Sequence, residues 1–138
     1  MQKFNNQVSK PFKATREHHL LEAAQDYTEL VADLIEEKGE ARVGEIAKRR
    51  GISHVTAIKT IKRLVRDGYL STSSHQPIEL TRKGKRIAAI SKSRHALLLQ
   101  FLVAIGVPEN IAQVDVEGIE HHISSRTLKA MREHLKTL

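Results

Sequence analysis

The residues with the clearest potential for chemistry lie in the segment Asp115–His122, which reads Asp-Val-Glu-Gly-Ile-Glu-His-His. On a helix, positions i, i+3 and i+4 share one face, so the spacing would bring Glu117, Glu120 and His121 together. Two carboxylates on adjacent turns repel each other unless a cation lies between them, and the imidazole adds a nitrogen ligand that Mn, Fe, Ni and Zn accept. The segment is therefore typical of a metal site, although a solvated acidic patch with two surface histidines would give the same pattern.

The composition limits the classes of protein to consider. The chain has 138 residues, 40% of them hydrophobic, which is enough for one compact domain or two small ones. The absence of Cys excludes disulfides, a thiol nucleophile and thiolate zinc sites, and is typical of a reducing compartment. No apolar run approaches the roughly 20 residues of a membrane span, and the N-terminus lacks a signal-peptide pattern. We therefore expect a cytoplasmic protein with no membrane partner.

The basic charge is concentrated in the middle of the chain. The net charge is +7, from 23 Lys and Arg against 16 Asp and Glu. Residues 41–94 contain 14 basic and 3 acidic residues, so the remainder has 9 basic and 13 acidic residues. A basic block flanked by acidic segments is typical of a nucleic-acid-binding module joined to a part with another role, although a merely soluble surface is the simpler alternative.

The same basic region predicts a helix-turn-helix. A short helix is expected to end at Gly51, and Ser53 is a suitable N-cap for a second helix over residues 54–67. In a recognition helix the N-terminal residues reach base edges, and the later basic residues contact phosphates. The predicted base contacts are His54, Thr56, Ala57 and Thr60, and the predicted phosphate contacts are Lys59, Lys62 and Arg63.

The elements around this unit predict the fold class. Two short strands, residues 69–72 and 78–80, would form the hairpin wing of a winged helix, and a long helix is expected from Arg82. The fold is thus expected to be mainly α, with an N-terminal winged helix-turn-helix and a C-terminal helical metal-binding and dimerisation domain. The predicted divisions are a flexible arm at 1–18, a DNA-binding domain at 19–84 and a helical dimerisation and metal-sensing domain at 85–138.

Three more residues of metal-ligand type lie outside the acidic segment. Asp26 and Glu29 are three positions apart on the first predicted helix, and His95 lies on the long helix. Taken alone, Asp26 and Glu29 would be ordinary surface acids, and a single helical His is usually structural or solvated.

Several separate segments fall in register with one known family. They are Asp26-Tyr27 with Glu29, residues 35–39, residues 41–43, Arg94-His95, residues 100–102, residues 105–107 and Asp115–His122. Together with the predicted winged helix, they closely resemble the diphtheria toxin repressor family, and within it the manganese transport regulators. The resemblance covers residues 25–128.

The resemblance implies a metal-activated repressor that binds operator double-stranded DNA as a homodimer and represses manganese uptake genes. By motif match, the ligands of a pair of Mn(II) ions in each subunit would be Asp26, Glu29, His95, Glu117, Glu120 and His121. The iron-responsive branch is expected to have Met at position 26 and Cys at position 117, where this chain has carboxylates. Independently, four carboxylates and two imidazoles without sulfur favour Mn(II) over softer ions.

Two features depart from the family pattern or limit it. The family wing commonly has an Arg-Gly pair near its tip, where this chain has Gln76-Pro77, so the prediction of wing contacts to DNA is weakened. The chain also ends without the third, SH3-like domain of the iron-responsive branch, as expected for the manganese branch.

Other functions remain open at this level. A winged-helix regulator could respond to Fe(II) or to an organic ligand instead. An enzyme with a dinuclear carboxylate site is possible in principle, but the chain offers no obvious nucleophile, so we expect no enzymatic activity. An architectural basic protein would bind DNA without dependence on sequence or metal.

Overall fold

The structure is a computed structural model that describes the backbone of residues 2–138 and the side chains of residues 20–138. The flexible arm predicted for residues 1–18 lies outside the part with described side chains and stays a prediction. Over the described residues the elements are α1 (Gln2–Lys38), α2 (Val43–Arg50), α3 (His54–Arg66), β1 (Leu70–Ser71), β2 (Glu79–Leu80), α4 (Arg82–Ala104), α5 (Glu109–Ile119) and α6 (Ser125–Leu135). The prediction of a mainly helical chain with a small hairpin is confirmed.

The chain divides into two compact units, with the boundary inside α4 between Ile87 and Ala88. The first unit contains the helix-turn-helix and the wing. The second contains the larger part of α4 together with α5 and α6.

The turn between α2 and α3 is explained by two capping residues, one at the end of α2 and one at the start of α3. Gly51 follows α2 with φ 65°, a left-handed conformation that suits Gly, and its N–H bonds to the α2 carbonyls. Ser53 caps α3, because its hydroxyl oxygen accepts from the Thr56 N–H at 3.1 Å. These two residues set the turn that the sequence predicted.

One predicted base contact is wrong. Ala57 is 0% exposed, and its methyl group lies in the core of the first unit with Ile61 and Leu64. By contrast, Val55 at the start of α3 is 62% exposed. A small Ala gives little hydrophobic signal in a sequence, yet it permits close helix packing.

Helix α1 packs directly on the helix-turn-helix. Tyr27, Val31 and Leu34 of α1 share one core cluster with Ile46 and Ala47 of α2. Two exposed ion pairs also connect these helices: Arg49 Nη2 lies 2.6 Å from Glu37 Oε2, and Lys38 Nζ lies 2.8 Å from Glu45 Oε1. The hydrogen bond from Arg49 lowers the pKa of Glu37. The contact between α1 and α2 therefore combines a buried apolar core with exposed ion pairs at its edge.

The wing is shorter than predicted and carries no cationic side chain of its own. Leu70 pairs with Leu80 and Ser71 with Glu79, while Ile78 forms a separate bridge to Ala41. Residues 70–80 contain neither Lys nor Arg. Positive charge near the wing comes instead from neighbouring helices, with Lys59 and Lys62 on α3 and Lys83 on α4, whose Nζ lies 4.3 Å from the centroid of the Tyr69 ring.

The junction between the wing and α4 depends on a close backbone approach. The Thr81 hydroxyl oxygen lies 2.5 Å from the carbonyl oxygen of Gly68 and accepts from the Gly84 N–H at 3.0 Å, so Thr81 caps the start of α4. A Cβ atom placed on Gly84 would lie 2.0 Å from the backbone oxygen of Tyr69. Gly84 is therefore required by packing rather than by its backbone angles.

The second unit is built around a small core between α4, α5 and α6. Leu97, Leu98, Val116 and Leu128 are its buried residues. Pro108 is the N-cap of α5, and Ser124 caps α6 by accepting from the Thr127 N–H at 3.1 Å. The packing of α4 on α5 fixes the height of His95 relative to the acidic segment.

Among the described residues, α4 is long and apolar enough to cross a membrane by length and composition alone. No such segment was predicted from the sequence. However, the apolar part of α4 includes Lys92 and Arg94, and charged side chains are costly in the hydrocarbon region of a bilayer. Leu97 and Leu98 are moreover buried in the core of the second unit.

Candidate metal centre

The acidic segment keeps its helical spacing although the helix ends within it. Helix α5 ends at Ile119, and Glu120 follows with φ −60° and ψ −27°, while its N–H bonds to the Val116 carbonyl at 2.9 Å. Glu117 and Glu120 are therefore still one turn apart. Glu120 is 4% exposed and His121 is 8% exposed, whereas Glu117 is exposed.

Three of the predicted ligands converge within the second unit. The Nδ1 atom of His95 lies 2.7 Å from Oε2 of Glu120. One ligand atom each from His95, Glu117 and Glu120 all lie within 4.8 Å of one another. Histidine nitrogen and carboxylate oxygen bind Zn²⁺ at about 2.0–2.2 Å. Two ligands of one such divalent ion therefore lie at most about 4.4 Å apart. A small adjustment of the exposed Glu117 side chain would satisfy this requirement.

His121 lies beside the same carboxylate. Its Nε2 atom is 3.4 Å from Oε1 of Glu120, so the two oxygens of Glu120 face different imidazoles. Four of the six predicted ligands thus belong to the second unit, and three of those four have ligand atoms within 4.8 Å of one another.

The electrostatics of Glu120 suit a bound cation. Burial raises the pKa of the Glu120 carboxyl, and the hydrogen bond with His95 acts in the opposite direction. A buried carboxylate is costly unless it is paired. A positive charge beside Glu120 would therefore offset the free-energy cost of burying its carboxylate. The hydrogen bond with His95 offsets part of this cost, and a divalent ion would offset more of it.

Arg94 donates a hydrogen bond to the backbone of this site, a role that was not predicted from the sequence. Its Nη1 donates to the backbone oxygen of Glu120 at 3.1 Å. This bond restrains the turn that carries Glu120 and His121. The signal available in the sequence was the Arg94-His95 pair, but nothing local predicted that its partner would be a carbonyl 26 residues away.

The predicted DNA contacts lie on α3 in the first unit. His54, Thr56, Lys59 and Lys62 are exposed, Thr60 and Arg63 are half-buried, and Ala57 is excluded by burial. A recess of about 550 Å³ lies between α3 and the wing, and its lining includes Lys59, Lys62, Arg66 and Thr72. Arg66 and Thr72 were not among the predicted contacts. A groove with three cations can accept a phosphate backbone.

Family models match both halves of the chain. The N-terminal DNA binding domain of the iron dependent repressors matches residues 19–76, and the metal binding and dimerisation domain of the same family matches residues 81–138. The chain belongs to the iron-dependent repressor family. It is accordingly a DNA-binding transcriptional regulator with a metal-binding and dimerisation domain, and not an enzyme.

Two curated relatives of this chain share a name. The transcriptional regulator MntR of Escherichia coli O157:H7 is 42% identical over 121 residues, which are 88% of this chain and 78% of that protein. The HTH-type transcriptional regulator MntR of Bacillus subtilis is 45% identical over 100 residues, which are 72% of this chain and 70% of that protein.

Solved structures of repressors agree with the family assignment. A manganese-dependent transcriptional repressor in complex with manganese superposes with a TM-score of 0.73 at 30% identity over 82% of this chain. The metal-dependent transcriptional regulator MtsR gives a TM-score of 0.75 at 19% identity, which supports the fold alone. The chain spans about half the length of these solved chains, 52% and 53%.

The two remaining predicted ligands of this family member lie in the first unit. Asp26 and Glu29 are half-buried on α1, and Oδ2 of Asp26 lies 3.5 Å from Nη1 of Arg50 on α2. Their assignment as ligands stays a prediction from the resemblance.

Proposed function

We propose that the chain is a manganese-responsive repressor that binds operator DNA as a metal-loaded homodimer and represses manganese uptake genes in the bacterial cytoplasm. The observation that carries the proposal is the convergence of His95, Glu117 and Glu120 within 4.8 Å in the family's metal-binding domain. The manganese complex of a 30% identical repressor and the MntR relatives support the choice of metal.

The donor set also supports manganese. We propose His95, Glu117, Glu120 and His121 as ligands, with Asp26 and Glu29 added on the strength of the resemblance, and two Mn(II) ions per subunit. Hard oxygen and imidazole ligands without sulfur suit Mn(II), although raw affinity still rises toward Cu and Zn. Fe(II) is the second candidate, because it accepts the same ligands and the matched family models are named for iron.

The proposed mechanism follows from the packing of α1. A bound divalent ion supplies the positive charge that lets the proposed carboxylate ligands lie together without repulsion. Asp26 and Glu29 lie on α1, which packs on the helix-turn-helix, so an ordered α1 also orders α3. Consecutive major grooves are about 34 Å apart, and only some spacings of the two recognition helices in a dimer allow docking. Metal loading would favour those arrangements by population shift.

The surface of α5 offers a face for the second subunit. Ile111 and Val114 are large apolar residues that are 48% and 72% exposed, one turn apart. Gly118 lies one further turn along, and nothing within the described chain comes within 4 Å of a Cβ placed there. An apolar stripe ending at a small residue suits close packing of a partner helix, as expected for a dimerisation domain.

Val114→Lys should therefore separate the homodimer into folded monomers. A charge at the centre of an apolar interface is unpaired and desolvated, so we expect the dimer dissociation constant to rise by at least about tenfold. Light scattering after size-exclusion chromatography would measure the mass. Gln113→Lys adds the same charge to an exposed polar position of α5 and should leave the dimer intact; equal dissociation in both variants would argue against this face.

Lys62→Gln should weaken DNA binding to specific and unrelated sequences alike. Lys62 lines the recess between α3 and the wing, and each lost phosphate contact should reduce the slope of log affinity against log salt by about 1. Fluorescence anisotropy across a salt series would measure this slope. Lys129→Gln, on α6 of the other unit, removes the same charge and should not change the slope. An unchanged slope in Lys62→Gln would remove this residue from the interface.

The decisive experiment is a metal titration of DNA binding. The DNA would be the upstream region of a manganese transporter gene of the same genome, and Mn(II), Fe(II), Zn(II) and then a chelator would be added at fixed ionic strength. We expect tight binding that appears with Mn(II) and is lost with chelator. Equal binding with and without metal would refute a metal-gated repressor, and a preference for Fe(II) would select the second candidate.

A further inference from the structure

A cavity in the second unit is lined by none of the carboxylates of the proposed metal site. It has a volume of about 380 Å³ and is bounded by α4 and α6. Its lining includes the apolar residues Leu97 and Leu128, the hydroxyl residues Ser93 and Ser125, and the cations Arg94 and Arg132. This volume is within the range of small-molecule sites, which combine apolar walls with a few polar groups.

The charges that line this cavity all have one sign. It contains two arginines, and none of its lining residues is acidic. Across the described side chains, Arg132 has no ion-pair partner within 4.0 Å, while the nearby Glu133 pairs with Lys136. Two positive charges that border one cavity favour an anion between them. The lining of the cavity therefore carries positive charge that no acidic residue of the lining balances.

Arg94 also has an unused hydrogen-bond donor. Its Nη1 bonds to the Glu120 carbonyl, but its Nε is shielded from solvent and has no acceptor among the described residues. A buried donor without an acceptor costs about 1–3 kcal/mol. A modest rotation of the side chain toward an anion in the cavity would give Nε an acceptor.

We infer that this cavity binds a small organic anion, whose carboxylate or phosphate group lies between Arg94 and Arg132 and whose short apolar part contacts Leu97 and Leu128. Guanidinium groups bind both kinds of head group through paired charge-assisted hydrogen bonds. The site differs from the proposed metal centre in ligand and in chemistry. An anion bound there would therefore be a second ligand of the domain, and its binding does not depend on which metal the domain holds.

NMR titration of the full, metal-free chain would test the inference without any metal or DNA. The probes would be sodium pentanoate and sodium phosphate, with sodium chloride at the same ionic strength as the reference. The side-chain Nε–H of Arg94 gives its own signal, which Arg94→Lys would identify by its loss. We expect saturable shifts of this signal and of the amides of Ser125 and Leu128 with at least one probe. The probe that saturates distinguishes a carboxylate ligand from a phosphate ligand.

Matched variants make the result specific. Arg132→Gln should weaken the binding by at least about tenfold, since it removes one of two charge-assisted contacts. Arg126→Gln removes an exposed arginine of the same helix outside the cavity and should leave the binding unchanged. Shifts that match chloride, fail to saturate or persist in Arg132→Gln would overturn the proposal, as would a second subunit that covers the cavity and suppresses the shifts.

Discussion

Glu117→Ala should abolish manganese-dependent operator binding while leaving a folded dimer. Glu117 is exposed, so its removal takes nothing from the core. Its carboxylate belongs to the group of three ligand atoms that lie within 4.8 Å. Loss of groups that only support a metal ligand lowers affinity by about 10- to 100-fold, so loss of a ligand should lower manganese affinity by roughly 100-fold or more. Calorimetry with Mn(II) and anisotropy with operator DNA would measure the two effects.

Asp115→Ala is the matched control for this prediction. Asp115 is an exposed acid of the same helix, two positions away, and it is not one of the proposed ligands. Its removal should leave manganese affinity within about twofold, because exposed charges interact weakly through water. If Glu117→Ala still bound operator only in the presence of Mn(II), the assignment of Glu117 as a ligand would be wrong.

Gly84→Ala should destabilise the chain by about 1–3 kcal/mol or more, the usual cost of overpacking. The added methyl group would lie 2.0 Å from the Tyr69 backbone oxygen, and a backbone atom cannot rotate away as a side chain can. The wing or the start of α4 would have to shift, and the Thr81 cap bonds would be strained. Urea unfolding followed by circular dichroism would measure the free energy of unfolding.

Gly44→Ala tests whether this loss is due to the contact rather than to the loss of a glycine. Gly44 is also helical, but nothing lies within 4 Å of a Cβ placed on it. Since Ala is a better helix former than Gly by up to about 1 kcal/mol, this variant should be at least as stable as the parent chain. A Gly84→Ala variant as stable as Gly44→Ala would show that the backbone approach at Tyr69 is not maintained in solution.

The sequence alone determined the features that depend on neighbours along the chain. Gly51 and Ser53 predicted the turn between α2 and α3 because a left-handed C-cap and a hydroxyl N-cap are local properties. The one-turn spacing of Glu117 and Glu120 predicted that their carboxylates would lie on one face. The resemblance, carried by short motifs in register, predicted the family that the comparisons then established.

Only the tertiary structure decided the features that depend on distant partners. The 2.7 Å approach of His95 to Glu120 spans 25 residues, and the bond from Arg94 to the Glu120 carbonyl spans 26. The burial of Ala57 and the close contact at Gly84 depend on how whole helices pack, and a small side chain leaves little trace in a hydrophobic pattern. Spacing along a helix fixes which side chains share a face, but the packing of α4 on α5 decides which atoms of those side chains meet.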